Sequence, residues 1–150
     1  MTGDPLAALG PGVVRVLARI HATVELDRAL AELGADASLA AAASDEPVLG
    51  ARVVVLERAG RPGIVIAEPS TEGRLAGALA RHDEGDLGAY IVSDRSLDDV
   101  VAHAAAAAVP ISRIGDGPFG REILLLEASG LGVLTILVEP AGDQPVPSRP

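Results

Sequence analysis

Three histidines (His21, His82 and His103), one phenol (Tyr90) and a scatter of carboxylates are the side chains through which this chain of 150 residues could hold a metal or move a proton. It has no cysteine, which excludes disulfides, thiolate metal sites and cysteine nucleophiles. The histidines share no helical or strand spacing suited to an ion. His103 falls on the outer side of a predicted helix, His82 ends another, and His21 alone lies in a strand able to line a cavity. With no acid–base partner near it in the chain, a structural or partly exposed role for His21 outweighs a catalytic one. Glu57, Glu68, Glu127 and Glu139 stand at the ends of predicted strands, where a solvated rim is the default. A register shift of one residue would turn them inward. Asp83, Glu84 and Asp86 offer oxygens to a cation, but their spacing is no calcium loop and reads as a solvated connector. Gly115-x-Gly117-x-x-Gly120 matches the dinucleotide fingerprint as a string. A true fingerprint opens a helix, whereas here Pro118 interrupts and a strand follows, so it reads as a hairpin turn. No Gly-x-Ser-x-Gly elbow is present.

The elements that must position these groups are legible in the periodicity. Residues 13–24 alternate apolar with Arg15, Arg19, His21 and Thr23, as a half-buried strand does. Leu26, Ala29, Leu30 and Leu33 then fall at helical spacing, with Gly34 at the C′ position. Residues 35–47 are a weak Ala, Ser and Asp segment, either a degenerate strand or a loop. Arg52 to Glu57 and Ile64 to Glu68 form a hairpin about Arg58-Ala-Gly-Arg-Pro-Gly63. Ser70 or Thr71 caps a helix through Arg81. A short strand, Ala89 to Ser93, precedes an alanine-rich helix, Leu97 to Ala108, capped by Ser96 with Asp99 three positions on. Three β-runs close the series: Ile111 to Ile114, Glu122 to Glu127 and Val133 to Val138.

The apolar fraction of 49% contains one Tyr, one Phe and no Trp, so the core is built from Val, Leu, Ile and Ala. A net charge of −9 opposes binding to nucleic acid. No segment reaches the roughly 18 apolar residues of a membrane span, and the start has no basic signal region. The expectation is a cytoplasmic protein with no nucleic-acid or membrane partner.

Strand, helix and three meandering strands make one βαβββ module, and the first half of the chain carries a worn version of the same order. In that order, Leu49-Gly-Ala-Arg-Val-Val-Val-Leu-Glu57, Ile64-Val-Ile-Ala-Glu-Pro-Ser70, Leu79-Ala-Arg-His-Asp-Glu-Gly85 and Leu131-Gly-Val-Leu-Thr-Ile-Leu-Val-Glu-Pro140 resemble the vicinal oxygen chelate superfamily, the group of glyoxalase I, methylmalonyl-CoA epimerase and the bleomycin-resistance proteins. The resemblance is strongest to the epimerase and covers residues 49–140; residues 1–48 fit poorly. It implies an α+β fold in which two βαβββ modules form a cupped mixed sheet. The divisions implied are an arm at 1–12, a first, degenerate module at 13–69, a linker helix and connector at 70–86, a second module at 87–140, and a disordered tail at 141–150.

In that superfamily four inward residues, usually two His and two Glu or Gln, hold a divalent ion that polarises a substrate carbonyl. Carried over position by position, three of the donors fall on Val65, Gly88 and Ile136, and His21 is the one candidate left. One imidazole does not hold a divalent ion, since zinc sites have at least three protein ligands. The expectation is therefore no metal and no cofactor. The cup is lined by His21, Val65, Gly88, Tyr90, Leu134 and Ile136, and takes a small, largely apolar molecule, for sequestration or for a metal-free cyclase or isomerase. His21, Glu57 and Tyr90 are the candidates for any catalysis. The scarcity of aromatic residues disfavours planar polyaromatic guests. Two alternatives stand beside this reading: a divalent-metal-dependent enzyme of the epimerase or glyoxalase type, and a non-catalytic dimeric partner protein. The resemblance makes a homodimer the expected assembly.

Overall fold

Alternation of small apolar with polar residues in Arg15–Ala22 makes β1 a strand with two different faces: Ala18, Ile20 and Ala22 are fully buried, while Arg19 and His21 between them are not. The computed structural model describes Ala7, Leu9 and residues 15–139; the predicted tail at 141–150 and most of the predicted arm lie outside these. After β1 come helix α1 (Leu26–Glu32), a 3-10 turn (Ala37–Ala42), β2 (Ser44–Glu46), β3 (Ala51–Arg58), β4 (Arg61–Pro69) and helix α2 (Arg74–His82). Then follow β5 (Gly85–Val92), helix α3 (Leu97–Ala107), β6 (Gly115–Gly117), β7 (Gly120–Leu125) and β8 (Leu134–Val138). No helix among the described residues is long and apolar enough to cross a membrane.

All eight strands form one sheet in the order β2-β3-β4-β1-β5-β8-β7-β6. Each half runs as a meander whose last strand lies parallel to the strand that opened it: β4 beside β1, and β8 beside β5. Antiparallel β1 and β5 join the halves. The sheet curls until its two edges, β2 and β6, come against one another. At that seam a side chain on Gly115 would sit 2.9 Å from Val48. This is the expected α+β architecture of two βαβββ modules in a cupped mixed sheet.

Helices α1 and α3 take the outer face. Leu26, Ala29 and Leu30 of α1 pack on Val54 and Ile66, and Leu97, Val100 and Ala104 of α3 pack on Ala89, Ile91, Ile123 and Leu137. The alanines of α3 leave little bulk between helix and sheet. Ser96 caps α3 by accepting a hydrogen bond from the Asp99 amide at 3.2 Å. The inner face carries the larger cluster, to which every strand of the central six contributes, together with Leu75, Ala78 and Leu79 of α2.

Two local expectations are corrected and two are refined. The strand expected at Ile111 to Ile114 makes a single bridge, Ile111 to Leu125, and the edge strand is β6 at Gly115–Gly117. The Gly-rich stretch thus pairs as a strand, because glycine tolerates the crowded seam where larger residues do not. Helix α2 starts at Arg74 behind Gly73, not behind Ser70 or Thr71. The weak segment at 35–47 supplies both the 3-10 turn and the edge strand β2. The acidic connector is exposed, as expected, and is also tied down: Glu84 accepts from the Val24 amide at 2.7 Å and from Arg28 at 2.8 Å, and Asp86, within β5, pairs with Arg19 at 2.7 Å.

Candidate functional site

Register decides which side chains meet inside the cup. Val55, Val65, Ile20, Gly88 and Leu134 lie in one cross-strand row, and Ala18, Tyr90, Ile136 and Leu124 in the next. Val65, Gly88, Tyr90, Leu134 and Ile136 therefore share the inner face. His21 does not. It pairs with Ile66, whose side chain packs under α1, so its imidazole lies on the outer face. Glu57 is exposed at the end of β3. Of the other strand-end acids, Glu127 is exposed, Glu139 pairs with Arg121 at 3.1 Å, and Glu68 pairs with Arg52 at 2.7 Å while accepting from the Leu26 amide at the start of α1.

Two acids that the sequence did not single out are inside. Glu46 ends β2, Glu122 lies in β7, and both are 0% exposed. Tyr90, also fully buried, donates its hydroxyl hydrogen to Glu46 Oε2 at 2.5 Å, and Phe119 meets the Tyr90 ring edge-on at 5.2 Å. Curling of the sheet brings the β2 edge to β6 and β7, so the two carboxyls meet across the seam. The Glu122 carboxyl occupies the space where a side chain on Gly117 would otherwise stand. The second glycine of the fingerprint-like string is thus a cradle for an acid. Apart from the hydrogen bond between the two acids themselves, Glu46 Oε1 and both oxygens of Glu122 meet no donor.

That enclosure controls the proton affinities. Burial, then the hydrogen bond and charge of the adjacent Glu46, then Asp116, push the Glu122 carboxyl up to about 10. Two carboxylates cannot both ionise at this separation from water, and the pair retains a proton at neutral pH. Tyr90 is held well above its ordinary value by burial first and by Glu46 and Glu122 after it, so it remains a donor.

The inner face itself is packed: Val65, Tyr90 and Ile136 are fully buried. Open space lies at its rims. A pocket of about 440 Å³ is walled by Asp45, Glu46, Pro47, Ala51, Ser70 and Thr71. A smaller one, of about 190 Å³, lies on the other side, where Leu124 and Leu134 face Ala78 and Arg81 of α2.

A divalent ion in the place the resemblance assigns does not fit these residues. Two of its positions carry hydrocarbon, Val65 and Ile136. At the third, a Cβ on Gly88 would collide with the Leu134 carbonyl oxygen, so this backbone has no room for any ligating side chain there. His21 is on the far face. Among the described residues no three His, Asp or Glu side chains are grouped so as to hold a metal ion.

No family model matches the sequence, and no curated protein matches it significantly. Solved structures do resemble the fold. The methylmalonyl-CoA epimerase of Mycobacterium tuberculosis aligns over 88% of this chain and 92% of its own, with a TM-score of 0.67 and 20% identity. A Streptomyces coelicolor methylmalonyl-CoA epimerase in complex with 2-nitronate-propionyl-CoA aligns over 85% of this chain and 97% of its own, with a TM-score of 0.63 and 21% identity. A hypothetical protein from Bacillus halodurans C-125 aligns over 90% and 99%, with a TM-score of 0.63 and 19% identity. The strand order, the paired modules and these three likenesses together give the chain the vicinal oxygen chelate fold.

Proposed function

We propose that this protein binds a small, largely apolar ligand without a metal ion, in the rim pocket beside Glu46. The observation that carries this reading is Gly88. The row of inner positions that would have to supply donors to an ion contains aliphatic side chains and one glycine whose Cβ has no room. An apolar wall with a few polar groups is the usual make-up of a small-molecule site, and a pocket of about 440 Å³ is within the ordinary size range. The same wall serves sequestration, or a metal-free isomerisation or cyclisation. The epimerase likeness favours a second reading, a divalent-metal-dependent enzyme acting on an acyl thioester.

Thermal denaturation in the presence of EDTA, against a panel of aliphatic metabolites, separates the two. A ligand that binds only the folded chain raises Tm by mass action. A rise with an apolar compound in chelator supports the first reading. One divalent ion per chain after purification without chelator, or stabilisation that EDTA abolishes, overturns it.

A further inference from the structure

Helix α2 carries two guanidiniums that nothing among the described residues neutralises. Arg19, Arg28, Arg52 and Arg121 each pair with a carboxylate, whereas among the described residues Arg74 and Arg81 pair with none, in a chain with 21 acids to 12 basic residues. The two stand on one face of the helix, about two turns apart. The Arg81 side chain folds back toward Arg74: a guanidinium nitrogen lies 3.5 Å from where a Cβ on Gly77, one turn earlier, would stand. The helix dipole accounts for cations in the last turn, where Arg81 and His82 fall, but disfavours one at the first residue, where Arg74 is. Glu72, just outside the helix, lines a polar pocket with Arg74 and does not pair with it. Both arginines, with His82, also line the pocket of about 190 Å³ beside α2, whose other wall is Ala78, Leu124, Leu126, Val133 and Leu134. A cationic rim over an aliphatic wall suits a molecule with an anionic head and a short apolar tail.

We propose that this pocket binds a small aliphatic carboxylate, its head group held by Arg74 and Arg81 and its tail on Leu124, Leu126, Val133 and Leu134. The site shares no residue with the rim pocket beside Glu46, and neither reading depends on the other. Guanidinium forks match the two oxygens of a carboxylate, so an arginine can donate to it twice. His82 offers a ring N–H at the same mouth. An ammonium head is repelled by the two arginines, and an alcohol leaves them without a counter-charge. The overall charge of −9 repels anions at long range, so selectivity comes from contact rather than from steering. Salt weakens such binding, because both guanidiniums are exposed.

Hexanoate, 1-hexanol and inorganic phosphate separate the head group from the tail. Each is titrated into the full chain, labelled with nitrogen-15, at low salt and with EDTA, and amide shifts report both affinity and place. Hexanoate is expected to shift amides of α2 and of residues 124–126 and 133–134, and to leave Asp45 and Ala51 of the rim pocket unmoved. Its affinity is expected to exceed that of hexanol and of phosphate by about fivefold or more, and to fall by about fivefold in Arg74→Gln and in Arg81→Gln, the upper end for an exposed ion pair. The amide spectrum of each variant checks its fold. If a variant does not fold, the three probes on the natural chain decide alone. Hexanol binding there as tightly as hexanoate overturns the carboxylate assignment, and phosphate binding as tightly overturns the role of the apolar wall. Folded variants that bind hexanoate as the natural chain does overturn the role of the arginines. Shifts confined to Asp45, Ala51 and Ser70 overturn the site and favour the rim pocket instead. No shift with hexanoate overturns it as well, and leaves the rim pocket to its own test.

Discussion

Replacing Glu122 by glutamine tests the buried carboxyl pair through stability. In the folded chain the Glu122 carboxyl is pushed up to about 10, whereas in the unfolded chain it titrates near the ordinary glutamate value of about 4.3. The sign follows from proton counts. Between those two values the folded chain binds one more proton than the unfolded chain, so the stabilisation is fully present below the unfolded value and is lost as pH rises toward the folded one. The slope is about 1.4 kcal/mol per pH unit, so the loss between about pH 5 and about pH 8 is roughly 4 kcal/mol. No solvent discount applies, because Glu122 is 0% exposed. Glutamine keeps the shape, stays neutral and offers a donor to Glu46. The natural chain and Glu122→Gln should therefore be close in stability near pH 5. The variant should be the more stable by several kcal/mol near pH 8, a large fraction of a typical domain's total. Urea unfolding curves at half-unit pH steps measure the difference directly, since titrations common to both chains cancel. Parallel stability profiles across that window would refute the buried, proton-retaining pair.

Tyr90→Phe leaves Glu46 Oε2 buried without its donor and should lower stability by about 1–3 kcal/mol, read as a fall in the urea midpoint. Gly88→Ala drives a methyl group into the Leu134 carbonyl oxygen, so the chain should lose its cooperative thermal transition or fail to accumulate in soluble form. Ala108 ends α3 in the left-handed region at φ 58°, where glycine is unstrained. Ala108→Gly should therefore raise Tm or leave it unchanged, against the usual cost of adding glycine.

Much of the architecture was legible in the chain. The alternation in β1, the helical spacing from Leu26, the Ser96 cap and the apolar runs at Leu124 and Leu134 each reflect local rules, so the order of elements, and through it the paired βαβββ halves, could be read directly. Edge strand β6 was misplaced because Ile111 to Ile114 has the strand composition, while Gly115–Gly117 has the backbone slimness that the crowded seam requires.

The site was not legible, for a physical reason. In β7 both faces are buried, Leu124 inward and Ile123 and Leu125 outward, so no polar–apolar alternation marked Glu122 as an inner residue. Glu46 belongs to a three-residue edge strand in a segment too weak to assign. His21, the polar residue nearest to looking functional, was turned outward by the parity of its strand. Types and spacing in the chain were enough to put hydrocarbon at Val65 and Ile136, two positions where the resemblance expects donors. Only the curl of the sheet, closing β2 against β6 some seventy residues away, decided that two carboxyls and a phenol would share one dry enclosure, because proximity across a seam leaves no periodic trace in the sequence.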